Sequence, residues 1–402
     1  MPFVASAVRF GFTKPRPAIP LTPASVTFVA MGTQFGMFDV APVAGATSYT
    51  VNIYSNTARS TTGGTLSRTV TSPTNSSILD ISFGGNGAIY TGSPSNFYYL
   101  VATATNSLGT SPPRVSTQIA TFFGYTGSTT NWVSPTTGAV TVSVTGGGAT
   151  DGPAGNGGMM VCSYGVTSGS TYAVTVGQGA QDNGGAAGAF SAGGVTGGTG
   201  LYNGGGMTQF HTVMYAGGGG AGGYPTYDGG GSPQGGFSLG GNGGTLGLNG
   251  SGGVGGDGEV NTSSTGNLGG IGRGATQSAN GAGGIAGGTG ATAGLAGSGT
   301  AGQGQGGNGG SGSGSYSTGG GGGAGYFGGG GSGGIGSGGG ACGGGGGGSS
   351  FAGTGTTVLN VINFASNAYP EVDGGGAAPY NGMYPGLAFG QPAGDGACVI
   401  WW

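Results

Sequence analysis

In Phe97-Tyr-Tyr-Leu-Val-Ala-Thr-Ala-Thr-Asn106, the residues Tyr98, Leu100, Ala102 and Ala104 fall on one face of an extended chain. The upstream stretch Ser48-Tyr-Thr-Val-Asn-Ile-Tyr54 repeats the pattern, with Tyr49, Val51 and Ile53 facing one way and Thr50, Asn52 and Tyr54 the other. Alternation with a period of two marks half-buried β-strands. Gly63-Gly64, Gly84-Gly85-Asn86-Gly87 and Ser111-Pro112-Pro113 punctuate the strands as turns. No amphipathic helix is visible on either side. A segment of about one hundred residues with strands at this spacing has the size of an all-β sandwich.

Outward from these strands the composition changes sharply. The chain has 402 residues, of which 112 are glycine, and 88 of those glycines lie between Gly146 and Gly348. Six of the seven basic residues (Arg9, Lys14, Arg16, Arg59, Arg68 and Arg114) precede residue 115, and Arg273 is the seventh. Charge and glycine together divide the chain into an N-terminal arm, 1–18, a β domain, 19–120, and a glycine-rich domain, 121–402. The last has a glycine-dense core at 146–348 and closing strands at 349–402.

The same numbers exclude several classes of function. One His, three Cys and ten scattered carboxylates leave little for catalysis or metal binding, so no enzyme activity, catalytic residue, cofactor or metal is expected. A net charge of -3 offers no basic face for nucleic acid. No apolar run approaches the length of a membrane span, and the first residues do not read as a secretory signal. Cys162, Cys342 and Cys398 are odd in number and far apart, which predicts buried free thiols. Collagen needs glycine at every third position, a register this chain does not keep.

The phrase Ala41-Pro-Val-Ala-Gly-Ala-Thr-Ser-Tyr-Thr-Val51 resembles the passage between the second and third strands of a fibronectin type III module. Tyr98-x-Leu100-x-Ala102-x-Ala104-x-Asn106-x-x-Gly109-x-Ser111-Pro112 is similar to that family's sixth strand and following turn. The family's core tryptophan has no counterpart; Phe38 and Val40 stand near its place. The resemblance implies a spacer or binding platform and assigns no chemistry.

Tyr125-Thr-Gly-Ser-Thr-Thr-Asn-Trp132-Val-Ser-Pro135-Thr-Thr-Gly138-Ala-Val-Thr-Val-Ser-Val-Thr-Gly-Gly-Gly148 resembles the opening of glycine-rich domains found in phage tail fibres, virion proteins and some receptor ectodomains. The glycine runs around Tyr326-Phe327, the run Gly343–Gly348 followed by Ser349-Ser-Phe351, and the final Gly394-Asp-Gly396-Ala-Cys-Val-Ile-Trp401 follow the same family's closing order. The resemblance implies extended threefold helices of the polyglycine II type, packed side by side between flanking strands. Ordering glycine costs about 1 to 2 kcal/mol of backbone entropy per residue. With so few side chains, the compensation has to come from backbone groups that approach closely because no Cβ intervenes.

Several motifs weaken on inspection. G-x-G-x-x-G matches arise here from glycine density alone and lack the strand and helix that a dinucleotide site requires. Gly252-Gly-Val-Gly-Gly-Asp257-Gly-Glu259 lacks the tandem copies of a calcium-binding β-roll. His211 sits in an alternating segment and reads as structural or exposed, and Glu371 and Asp373 read as solvated turn carboxylates. Tyr224, Tyr227, Tyr316, Tyr326 and Phe327 are aromatic residues on glycine loops, suited either to packing into the lattice or to contacting sugars or partner proteins.

These readings converge on a non-enzymatic structural protein of a virus particle, a surface-exposed fibre, spike or capsid-associated component. It is expected to form homo-oligomers and to contact other virion or capsid proteins. The arm residues Phe3, Arg9, Phe10, Phe12, Lys14 and Arg16 are the expected docking segment, since aromatic and Arg side chains are common anchors. One alternative is a receptor-binding adhesin that recognises host glycan or protein through glycine-rich loops. Another is a secreted cell-surface or matrix polymer.

Overall fold

The computed structural model describes residues 18–31, 35–76, 78–81, 96–149, 155–180, 203–222, 243, 267–312, 318–335, 340–359 and 395–402. These residues contain twenty strands and no helix, so the chain is all-β. A three-stranded sheet orders β1 (Val26–Met31), β2 (Phe35–Val40) and β5 (Ile78–Ile81). A second sheet runs β10 (Thr130–Val133), β13 (Thr171–Thr175), β14 (Thr208–Phe210), β15 (Met214–Ala216) and β18 (Phe351–Ala352).

Between them lies a ten-stranded sheet. Its path is β19 (Thr356–Val358), β12 (Met159–Val166), β11 (Gly138–Thr145), β20 (Ala397–Trp401), β9 (Ala120–Phe123), β6 (Phe97–Asn106), β3 (Ser48–Asn56) and β4 (Thr65–Ser72). The short strands β7 (Gly109–Thr110) and β8 (Arg114–Val115) also pair with β6. A separate parallel pair joins β16 (Asn267–Leu268) to β17 (Gly340–Ala341).

The alternation seen in the sequence sets the faces. Tyr49, Val51 and Ile53 are buried, as are Tyr98, Leu100, Ala102 and Ala104, and they meet Phe28, Phe38 and Ile78 from the three-stranded sheet. The opposite face of β3 and β4 carries hydroxyl and amide pairs, Thr50 with Thr71 at 3.1 Å and Thr69 with Asn52 at 2.8 Å. Two antiparallel sheets packed face to face in this way form a β-sandwich.

The centre of the large sheet follows a different rule. β20 reads Ala397-Cys-Val-Ile-Trp401, apolar throughout, and all five residues are buried. A strand covered on both faces has no solvent side to populate with polar residues. Ala397, Val399 and Trp401 join the core under the three-stranded sheet, and Cys398 and Ile400 join a second core with Trp132, Val142, Tyr172 and Phe210. β9 does the same, with Phe122 in the first core and Phe123 in the second. The expected domain boundary at residue 120 falls at the start of β9, which pairs with both β6 and β20. Sheet hydrogen bonding therefore runs across that boundary without a break.

Beyond the strands, glycine segments are held mainly by backbone hydrogen bonds, with a few that involve side chains, such as the Gly328 N–H donating to Asn280. Along 329–334, successive N–H groups donate to Gly323, Arg273, Leu295, Gly320, Gly270 and Thr292 at 2.8–3.1 Å. The partner segment thus changes at each residue and returns every third one. Carbonyls of the same segment accept on a matching step: Gly281, Gly284 and Gly287 donate to Gly328, Gly331 and Gly334. Burial follows the same period, since Gly281, Gly284 and Gly287 are buried while Ala282 and Ile285 are exposed. Along 281–287 the side chains of Ala282 and Ile285 therefore stand where the segment faces outward. A Cβ on inward-facing Gly330 would run into the backbone of Gly281 and Ala282, and one on Gly205 would run into Gly147.

Candidate functional site

Of the aromatic residues proposed for recognition, Tyr326 and Phe327 lie within the described residues. Tyr224, Tyr227 and Tyr316 lie outside them, as do the arm residues Phe3, Arg9, Phe10, Phe12, Lys14 and Arg16. Glu371, Asp373, Asp257 and Glu259 also lie outside.

Gly325-Tyr-Phe-Gly328 turns at the edge of the glycine segments and is pinned to Ser349. The Tyr326 N–H donates to the Ser349 carbonyl at 2.8 Å, and the Phe327 N–H donates to the Ser349 hydroxyl at 3.0 Å. The Tyr326 ring stacks on Phe351 at 4.1 Å with planes 14° apart and meets Tyr215 edge-on at 5.2 Å. Phe327 stands perpendicular to it at 5.3 Å. With Met207 and Ala324 the rings of Tyr215, Tyr326 and Phe351 form a small satellite core. Burial, followed by the neighbouring Tyr326, raises the pKa of the Tyr215 phenol, whose hydroxyl donates to the Thr212 carbonyl at 2.9 Å. Tyr326 is occupied with packing on several sides, and both it and Phe327 remain half-buried.

The three cysteines are free and buried. Cys162 and Cys398 face the second core from adjoining parts of the sheet, while Cys342 lies among the glycine segments. Burial pushes the Cys162 and Cys342 thiols up to about 12 from an ordinary 9.0, and Cys398 is raised as well. The folded protein therefore holds thiol protons that the unfolded chain releases. Between pH 9 and about 12 the unfolded state binds fewer protons, so stability falls as pH rises through that window. The thermal midpoint is expected to drop steadily above pH 9, and a triple Cys→Ser variant is expected to flatten that slope. Native thiols should also resist iodoacetamide at pH 8 and react fully in denaturant.

Among the described residues no group of His, Cys, Asp and Glu could hold a metal ion. Asp395, two residues before β20, accepts the Gly179 N–H at 2.8 Å and ties the strand's approach to the glycine segments. Asn75, part of a glycosylation-type Asn-Ser-Ser triplet, already donates its side-chain amide to the Val40 carbonyl at 3.0 Å.

A second aromatic group surrounds the chain's single histidine. His211 and Thr212 form the turn between β14 and β15 with φ of 45° and 52°. The His211 ring meets Tyr172 edge-on at 5.0 Å, and Tyr164 lies at 6.4 Å. Tyr172 stacks on Phe210 at 6.0 Å, and Trp132 lies within 6.4 Å of Phe210. Trp132, Tyr172 and Phe210 are buried, Tyr164 and His211 are half-buried, and Thr212 is exposed. Sequence alternation placed His211 on a strand-like segment, but nothing in its local propensity announced a left-handed turn.

No protein-family model, no curated protein and no solved structure matches the chain.

Proposed function

We propose that the chain is a non-enzymatic structural component of a virus particle, carried on its surface as a fibre, spike or capsid-associated element. The observation that supports this most is the backbone bonding of 328–334 to six neighbouring segments, made by residues that bear almost no reactive side chains. In this reading the glycine segments are polyglycine II-type helices, with three residues per turn and every amide free to bond outward. The first sandwich is a fibronectin type III-like spacer, and its continuity with the rest through β9 and β20 suits a load-bearing part. The low charge and the motif order around 125–148 and 319–401, which resembles glycine-rich domains of phage fibres, agree with it.

The arm at 1–18 is the proposed docking segment toward other virion or capsid proteins, with the glycine-rich body projecting and assembling as a homo-oligomer. Its test is a chain lacking residues 1–18. Purified particles should lose this protein on immunoblot, while the truncated chain alone keeps its strand-rich circular dichroism and thermal midpoint. Normal incorporation of the truncated chain would sink the docking proposal. Absence of the full-length protein from purified particles would sink the virion assignment itself.

A further inference from the structure

The turn between β14 and β15 is costly in a way this chain had every means to avoid. Among the described residues, the left-handed φ values outside His211 and Thr212 belong to eleven glycines, including Gly45, Gly63, Gly169 and Gly355. A β-branched or bulky residue in that region is strained, whereas glycine enters it freely. Adjacent strained residues at a surface turn point toward work done by their side chains.

The surroundings specify what that work could be. Tyr164 and His211 are half-exposed rings 6.4 Å apart, seated on the buried rings of Tyr172 and Phe210 that fix their positions. The neighbouring turn is close by, since the Gly353 N–H donates to the Val213 carbonyl at 2.7 Å. Its Gly355 lies 3.7 Å from the edge of the Tyr164 ring, counted from where a Cβ would stand. Thr212 and Thr354 are exposed on either side. Segments 130–133, 159–175, 208–216 and 351–358 contain no Lys, Arg, Asp or Glu. Among the described residues these segments therefore offer ring faces, hydroxyls and an imidazole, with no Lys, Arg, Asp or Glu.

Such a surface does not suit nucleotides, which need cations for phosphate, or acidic peptides, which need the same. It does suit a neutral saccharide. The electron-rich face of an aromatic ring attracts the electropositive C–H groups on one side of a pyranose, and the threonines and imidazole can exchange hydrogen bonds with its hydroxyls. We infer that Tyr164, His211 and Thr212 form a binding site for a neutral oligosaccharide at the β14–β15 turn. This site is separate from Tyr326 and Phe327, and it does not depend on where the protein resides.

The test uses the full chain and calorimetric titration with cellohexaose, maltohexaose, mannohexaose and chitohexaose. At least one should bind saturably. The double variant His211→Asn/Thr212→Gly supplies residues that accept the left-handed turn, so it should raise the thermal midpoint by about 2 to 4 °C while weakening binding about tenfold. Tyr164→Phe keeps the ring face and should bind about as tightly as the parent, whereas Tyr164→Ala removes it and should weaken binding about tenfold. Failure of all four sugars to bind would overturn the proposal, as would a double variant that binds as tightly as the parent. A double variant with an unchanged or lower midpoint would remove the strain on which the proposal stands.

Discussion

Replacing Gly330 by alanine should destabilise the glycine-rich region by about 3 kcal/mol or more, at the upper end of over-packing penalties. The added methyl would strike the Ala282 carbonyl and the Gly281 carbonyl oxygen, which are backbone atoms that cannot rotate away. Gly330 also lies in the segment bonded to the most neighbours, donating to Arg273 and accepting from Gly346. Moving it aside would therefore stretch hydrogen bonds on several sides at once. Gly165→Ala is the matched control: its Cβ meets nothing within 4 Å, and its φ is not left-handed. That variant should stay within about 0.5 kcal/mol of the parent. Urea midpoints compare the two, and hydrogen exchange at 270–275, 281–287 and 329–334 should report the loss in Gly330→Ala alone. A Gly330→Ala chain as stable as the parent would mean that close backbone approach does not hold this region together.

The contrast between these glycines shows what could be read from sequence. Tyr49, Val51, Ile53 and the Tyr98–Ala104 face were legible because alternating side chains record which side is buried. The odd number and wide spacing of the cysteines foretold buried free thiols. Pairing partners were not legible, because a run such as Ala397–Trp401 records that both faces are covered and says nothing about β9 and β11 as its neighbours. Glycine segments are harder still. Gly330 and Gly165 are the same letter, and their difference lies entirely in backbone atoms brought in from distant parts of the chain. Tyr326 was marked from its position among glycines, but only the stack on Phe351 tells how its ring is used. The His211-Thr212 turn left no trace in propensity, since its information is a pair of backbone angles.

Trp401→Ala should cost about 3 to 5 kcal/mol, the range for emptying a buried aromatic site, and should weaken both ends of the large sheet together. Trp401 is buried in the first core with its ring 6.2 Å from Phe28, and its backbone pairs with Thr141 on β11 and Ala120 on β9. β20 thus joins a sheet half built from 48–106 to a half built from 138–166, although the residues are far apart in sequence. If the strand couples them, amide protection in β6 and in β11 should fall by the same free energy, and unfolding should remain a single transition. Ile400→Ala tests the coupling from the opposite face, where the side chain packs in the second core with Val142 and Phe210. It should lower the same transition by about 2 to 5 kcal/mol. Two resolved transitions, with Trp401→Ala moving one and Ile400→Ala the other, would mean that the two cores unfold independently. One shared transition would make β20 the element through which the sandwich and the glycine-rich region fold as a unit, because a strand buried on both faces cannot lose one core without exposing the other.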